Sequence, residues 1–387
     1  MNDAGKTIAI DIRLLGKKRT GDETVFFHLT KEIIKLDKKN KYYLLTDERE
    51  AVKIASLSAS LDCGGQENVA IVSLPAANRF LWNLWTLPRY LFRQRIDIFH
   101  TQYILPLCWP QRTKIITHIH DVSFRAFPEL IGWTDRFFLA LLIPRSLAKA
   151  ALIIAVSRFT KEEIIKYYAV SPDKITVVPN AVGENFLKNT RGDAEMEQTV
   201  RKKYRLPEHF IIAVGTLQPR KNIPFLIDAF AALRKRLPKM KLVLVGNRHA
   251  YHIDRRIDKA ITAQNLEESV VFPGYIEESD LPTVIGLADV FALPSLYEGF
   301  GIPLLEAQSR GVPVAASDIP SLREVGGEAA LYFDPQSIAN CEETLYTLCT
   351  NEQQKTALTR HGDERVRLFS WQKSARLLLD AYNRFYP

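Results

Sequence analysis

Cysteine is scarce in this chain: of 387 residues only Cys63, Cys108, Cys341 and Cys349 are cysteine. No two form a C-x-x-C pair and their spacings fit no zinc ribbon, so reduced structural thiols are expected. Long hydrophobic runs are missing too. The apolar stretch Phe137–Ile143 is far too short to span a bilayer and is cut by Pro144. A secretory leader is not apparent: Met1–Lys6 is polar, and Thr7-Ile-Ala-Ile10 reads as a first strand. These features predict a soluble, cytoplasmic protein. Charge of one sign is not dominant either, with 52 Lys+Arg against 44 Asp+Glu and a net charge of +8. Such an excess suits acidic ligands, nucleic acid or an anionic membrane surface without choosing between them. A hydrophobic share of 47% with 25% charged residues is ordinary for globular proteins, which excludes disordered and collagen-like chains. No repeat of solenoid period is evident.

What is present is an alternation of short apolar runs with amphipathic stretches. The first half has runs at Ile8–Ile12, Tyr42–Leu45, Val69–Val72, Ile96–Phe99, Lys114–Thr117, Ala151–Ala155 and Lys174–Val178. The second has them at Phe210–Val214, Lys241–Val245, Val270–Phe272, Val290–Leu293, Val312–Ala315 and Ala330–Phe333. Runs without polar alternation predict strands covered on both faces, hence parallel sheets with crossover helices. The fold class expected is α/β, with two doubly wound Rossmann-like domains facing a cleft. The charged segment Leu187–His209 reads as a linker with a first exposed helix. The expected domains are therefore 1–186 and 187–369. A terminal helix follows over 370–387, with helically spaced Trp371, Ala375, Leu378, Leu379 and Tyr382, and is expected to dock back on the first domain.

The densest candidate site is Pro294-Ser-Leu-Tyr-Glu-Gly-Phe-Gly-Ile-Pro-Leu-Leu-Glu306. A strand, a loop with Gly299 and Gly301, and a helix opened near Pro303 make an anion site from free backbone N–H groups and the helix dipole. Glu298 precedes the loop, and Glu306 is expected in the first helical turn, where an ionised carboxylate can accept from a sugar diol. The bland alternative is a dipole-complementing Glu306 and a solvated Glu298. A second candidate is Gly215-Thr-Leu-Gln-Pro-Arg220-Lys221-Asn222-Ile-Pro224, where two adjacent cations at a strand end can neutralise a diphosphate.

Together these motifs resemble the retaining GT-B glycosyltransferases of family four, a group rich in bacterial mannosyl- and glucosyltransferases of surface-polysaccharide assembly. The resemblance extends over nearly the whole chain. It includes Thr117-His-Ile-His-Asp-Val-Ser-Phe-Arg-Ala-Phe-Pro128, Ala155-Val-Ser-Arg-Phe-Thr-Lys161, Val177-Val-Pro-Asn-Ala-Val182, Gly311-Val-Pro-Val314 and Phe369-Ser-Trp371. It implies that Arg220 and Lys221 hold the donor diphosphate, that Glu306 binds the ribose diol, and that Glu298 lies beside the transferred sugar. Gly215, Gly299, Phe300 and Gly301 line the implied donor site, with Gly274, Tyr275 and Ile276 beside the nucleobase. His120 would contact the donor sugar from the opposite domain.

One region departs from the family pattern. A Gly-Ile-Gly-Arg-Tyr-like loop is replaced by Leu15-Gly-Lys-Lys-Arg-Thr-Gly-Asp-Glu-Thr24. Gly21 is expected as a tight-turn residue, and Asp22 or Glu23 could meet acceptor hydroxyls, as could Asp121. Alternatively Asp22 and Glu23 are favourable charges opening a helix over Thr24–Leu36. His118 and His120 lie two apart on one strand face, but only Asp121 and the distant His100 could complete a metal site. No Asp-x-Asp is present, and metal-independent transfer without a cofactor is expected.

The reading is therefore retaining transfer of a hexose from a nucleoside diphosphosugar to a glycan or lipid-linked hydroxyl, with GDP-mannose as first candidate donor and a UDP-hexose next. The alternatives are a nucleotide-sugar epimerase of the same fold and a basic nucleic-acid-binding protein. Scattered cations and the lack of a reading module speak against nucleic acid as a partner. Phe80–Arg95 and Trp133–Lys149 mix aromatics with arginines and read either as interfacial helices at the inner face of a membrane or as core helices with snorkelling cations.

Overall fold

The structure is a computed structural model and describes residues 5–17, 21–128, 133–187, 193–248 and 253–385. Among these described residues, thirteen strands form two parallel sheets. The first contains β1 (Thr7–Asp11), β2 (Lys41–Thr46), β3 (Val69–Ser73), β4 (Ile98–Gln102), β5 (Lys114–Ile119), β6 (Leu152–Ala155) and β7 (Ile175–Val177). Its order is β3-β2-β1-β4-β5-β6-β7. The second contains β8 (Phe210–Val214), β9 (Lys241–Val245), β10 (Val270–Val271), β11 (Val290–Leu293), β12 (Val314–Ser317) and β13 (Leu331–Phe333), in the order β10-β9-β8-β11-β12-β13. Each expected apolar run forms a strand. The cause is visible in the burial: Ile8, Ala9 and Ile10 of β1, and Val290, Phe291 and Ala292 of β11, are sealed on both sheet faces.

The strand order reverses once in each sheet, between β1 and β4 and between β8 and β11. Adjacent chains depart in opposite directions there and leave a crevice at the carboxyl ends of the strands. All the candidate side chains described below belong to such strand ends or to the segments that follow them.

The chain divides into two compact units. One consists of 1–126, 132–180 and 370–387, and the other of 127–131 and 181–369. The crossover comes slightly before the composition change at Leu187, because Ala181, Val182 and Phe186 are buried apolar residues of the second unit. In the first unit the terminal helix Trp371–Asn383 packs against the helix Gly21–Leu36. Ser370 caps the terminal helix by accepting from Lys373 N. Trp371 stacks on His28 at 5.1 Å, and the Ser374 hydroxyl donates to Pro179 O. The second unit is cored by Leu226, Phe230, Leu242, Leu244, Leu345 and Leu348, which join the helices Ile223–Arg236 and Ile338–Thr350 to the sheet.

The beginning of the first helix differs from expectation. It starts at Gly21, three residues before Thr24, and Gly21 has no positive φ. Gly21 is thus a helical residue rather than the tight turn. Asp22 and Glu23 in the first turn complement the helix dipole, which allows the earlier start.

Candidate active site

In the second unit, β8 runs into Gly215, whose φ of +150° is rarely adopted by side-chain-bearing residues. A Cβ there would sit in ordinary contact with the Lys221 side chain, at 3.7 Å from Cε, so the backbone conformation and not space calls for glycine. A single helical turn, Pro219–Lys221, then presents both cations. Asn222 closes it in the left-handed conformation at φ 55° and ties the turn down by donating to Pro335 O. The helix Ile223–Arg236 follows with Pro224 in its first turn.

At the neighbouring strand end, β11 gives way to Pro294–Gly301. Glu298 is buried and accepts from three side chains. Lys221 Nζ and the Ser295 hydroxyl, at 2.6 Å, bond Oε1, and Arg220 Nη1 bonds Oε2 at 3.1 Å. Backbone bonds lock the two segments together: Leu296 N donates to Arg220 O, and Arg220 Nη1 reaches Tyr297 O. Burial alone would push the Glu298 carboxyl up, but Lys221 and then Arg220 outweigh it and hold it down at about 2. Glu298 is therefore an ionised acceptor and not a solvated loop residue. A narrow cleft at this place is lined by Gly215, Thr216, Lys221, Pro294 and Ser295.

Gly301, at φ +102°, starts the helix Ile302–Ser309, and a Cβ there would strike Leu322 at 2.6 Å. Phe300 is buried edge-on against Phe369 at 5.5 Å, which anchors the loop so that its backbone is held in place. Glu306 lies one residue further along the helix than expected. Because the helix opens at Ile302, Glu306 is its fifth residue and not part of the first turn. Removal from water raises its pKa to about 7. Gly274, at φ +81°, follows β10; Tyr275 is 84% exposed and Ile276 buried.

The first unit carries the remaining candidates. His100, His118 and His120 form a column of stacked imidazoles, with ring centroids 5.6 and 4.7 Å apart. The register of β4 and β5 produces it, pairing His100 with Ile116 and Gln102 with His118. His120, at the open end, bonds Gln102 Oε1 through Nε2 at 3.1 Å and has Asp22 3.8 Å from Nδ1. At the closed end His100 bonds the Tyr382 hydroxyl at 2.7 Å. Burial, and next the neighbouring His120, hold His100 down at about 3 and His118 well below its usual value. Asp121 accepts from the N–H and hydroxyl of Ser123 and so caps the short helix Ser123–Ala126. Glu23 turns inward, buried, and accepts from Gly16 N at 2.7 Å, so it fixes the preceding loop. Among the described residues no group of three His, Cys, Asp or Glu side chains could hold a metal ion.

The structure thus brings Arg220, Lys221 and Glu298 together in one unit, and Asp22 and His120 in the other. Sequence reasoning overlooked Ser295, Asn222 and Gln102. Ser295 and Asn222 lie inside the quoted motifs, where a hydroxyl three residues before Glu298 and a residue type tolerant of positive φ were available signals. Gln102 had none, because its proximity to His120 comes from strand pairing.

Comparison with known proteins agrees with this architecture. The family described as "Glycosyl transferases group 1" matches residues 196–365, and "Glycosyltransferase Family 4" matches residues 21–185. The O-antigen chain mannosyltransferase B of Escherichia coli is 29% identical over 269 residues, covering 70% of each chain. The serotype-specific mannosyltransferase WbdA of Escherichia coli is 32% identical over 237 residues, 61% of this chain, which spans only 29% of that longer protein. Among solved structures, a sucrose-phosphate synthase from Thermosynechococcus elongatus superimposes with a TM-score of 0.76 at 19% identity, covering 98% of this chain and 99% of that one. By both sequence matches and its pair of Rossmann-like sheets, the chain belongs to the GT-B, family-four-like group 1 glycosyltransferases.

Proposed function

We propose that this glycosyltransferase moves a hexose, mannose first, from a nucleoside diphosphosugar to a hydroxyl of a glycan or lipid-linked acceptor in cell-surface polysaccharide assembly, with retention at the anomeric carbon. The similarity to O-antigen mannosyltransferases supports mannose, with GDP-mannose as first donor and a UDP-hexose second. The observation that carries the reading is the buried Arg220–Glu298–Lys221 cluster at the carboxyl ends of β8 and β11.

Departure of a nucleoside diphosphate leaves growing negative charge on phosphate oxygens. Arg220, Lys221 and the backbone N–H groups around Gly299–Gly301 supply fixed positive potential for it, which acts more strongly on the transition state than on the ground state. Because two cations meet the diphosphate, the proposed transfer requires no divalent metal. Glu306 accepts from the ribose diol, and Gly274–Ile276 borders the base.

Glu298 is a poor nucleophile here, since its oxygens already accept from Lys221, Ser295 and Arg220. Retention then proceeds by front-face attack, the departing phosphate taking the acceptor proton. Glu298 orients the sugar hydroxyls.

The test is incubation of the purified protein with GDP-mannose or UDP-glucose and an α-mannoside acceptor in the presence of EDTA, followed by NMR of the anomeric proton. An α-linked product from an α-linked donor supports the proposal. A β-linked product, or transfer seen only on adding magnesium, contradicts the mechanism.

A further inference from the structure

The first unit carries an apolar surface that the transfer chemistry does not use. In the segment Arg79–Arg93, a π-helical turn over Trp82–Thr86 lies between two short α-helical pieces. In an uninterrupted α-helix Trp82 and Trp85 would lie about 60° apart on one face. The wider turn separates them: Trp82 is fully buried with the Arg13 guanidinium 4.3 Å over its ring, whereas Trp85 is 66% exposed. Phe80, Leu81 and Leu84 are exposed beside it.

Two further elements extend this face. Phe80 packs on Phe138 of the helix Trp133–Lys149 at 5.5 Å, and Leu141 of that helix is 63% exposed. Leu107, also exposed, is tied to the π turn by its N–H bond to Asn83 O and to the long helix by Arg145, which donates to Leu107 O and Pro106 O. A lone exposed leucine is unremarkable, but seven large apolar side chains on three hydrogen-bonded elements form a patch.

The charge of these segments identifies the occupant. From Leu74 to Arg112 the chain has five arginines, no lysine and a single acid, Asp97, whose carboxylate is engaged by Thr7 N. Arg89, Arg93, Arg95 and Arg112 are exposed. Exposed tryptophan and leucine with surrounding arginines is the chemistry of a surface that seats its apolar side chains at the headgroup boundary of an anionic bilayer. A self-associating interface would instead set these cations against their own copies. We propose that the π turn, the Leu107 loop and the helix Trp133–Lys149 form a docking surface for an anionic lipid membrane.

The test is flotation of the full chain with vesicles of phosphatidylcholine alone and with an equal mixture of phosphatidylcholine and phosphatidylglycerol. Binding to the mixed vesicles at low salt, its decline at high salt and little binding to phosphatidylcholine are expected. L84S/W85S should lower partitioning about tenfold or more, and R89Q and R93Q about fivefold each. All these side chains are exposed, so an unchanged far-UV circular dichroism spectrum and urea midpoint confirm that the variants are folded. Failure to bind the mixed vesicles, equal binding to both compositions, or a dimer in light scattering that L84S/W85S converts to a monomer would each overturn the proposal.

Discussion

The Lys221 ammonium is hydrogen-bonded to the Glu298 carboxylate with both side chains nearly sealed from water, their exposures being 11% and 8%. Removing one partner strands a buried charge, which typically costs about 3–5 kcal/mol, whereas replacing both by neutral groups costs far less. K221A is therefore expected to lower stability to urea and to reduce transfer about 10²–10³-fold. K221M/E298Q should recover most of the stability and none of the activity. Urea unfolding and transfer rates on the same preparations check this separation.

Acid should weaken the second unit through Glu298. Its pKa is held at about 2 in the folded protein, below the ordinary value of 4.5. A depressed carboxylate contributes stability that is fully present above its unfolded pKa and is lost as pH falls through the folded one. The loss runs from about pH 4.5 towards 2 and amounts to on the order of 3 kcal/mol. E298Q should flatten that part of the stability profile, measured by urea titration across pH.

Glu306 works in the opposite direction. With its pKa raised to about 7, the folded state binds more protons than the unfolded state between pH 4.5 and 7, so stability falls as pH rises through that window. E306Q should raise the melting temperature at pH 8 and leave it unchanged near pH 5. Since the ionised form is the one that accepts from a diol, nucleotide affinity in the wild type should rise as pH increases through 7, and E306Q should lose that dependence.

Acid lability is expected in the first unit as well, from the histidine column. Both ring nitrogens of His118 are buried without a hydrogen-bond partner, and His100 and His118 stay neutral in the fold. The unfolded chain binds protons at these histidines below pH 6.5 and the folded chain does not, so stability falls as pH drops from there. All five tryptophans belong to the first unit, so their fluorescence follows its unfolding alone. H118L should move the acid transition to lower pH and add about 1 kcal/mol or more at neutral pH.

Much of this arrangement was legible in the sequence. Buried parallel strands require unbroken apolar runs, and every such run became a strand. The Arg-Lys and Glu-Gly-Phe-Gly segments are local motifs, so their geometry follows from a few adjacent backbone conformations, as Gly215, Asn222 and Gly301 show. The first helix starts three residues before Thr24 because its acidic first turn compensates for glycine at the opening. The helix Ile302–Ser309 likewise opens one residue before Pro303, which puts Glu306 just past its first turn. The imidazole column and the Gln102–His120 bond depend on the pairing of β4 with β5, which no local pattern encodes. The π turn that separates Trp82 from Trp85 breaks the helical period on which sequence reading relies.

The central claim is that the cations at the end of β8 hold a nucleoside diphosphate. Its most direct test is calorimetric titration of GDP and UDP into the wild-type protein and into K221A at pH 8 with EDTA. The account predicts saturable binding of one of the two nucleotides by the wild type and a large loss of affinity in a folded K221A variant. Equal affinity in both proteins, or no binding of either nucleotide by the wild type, would contradict it.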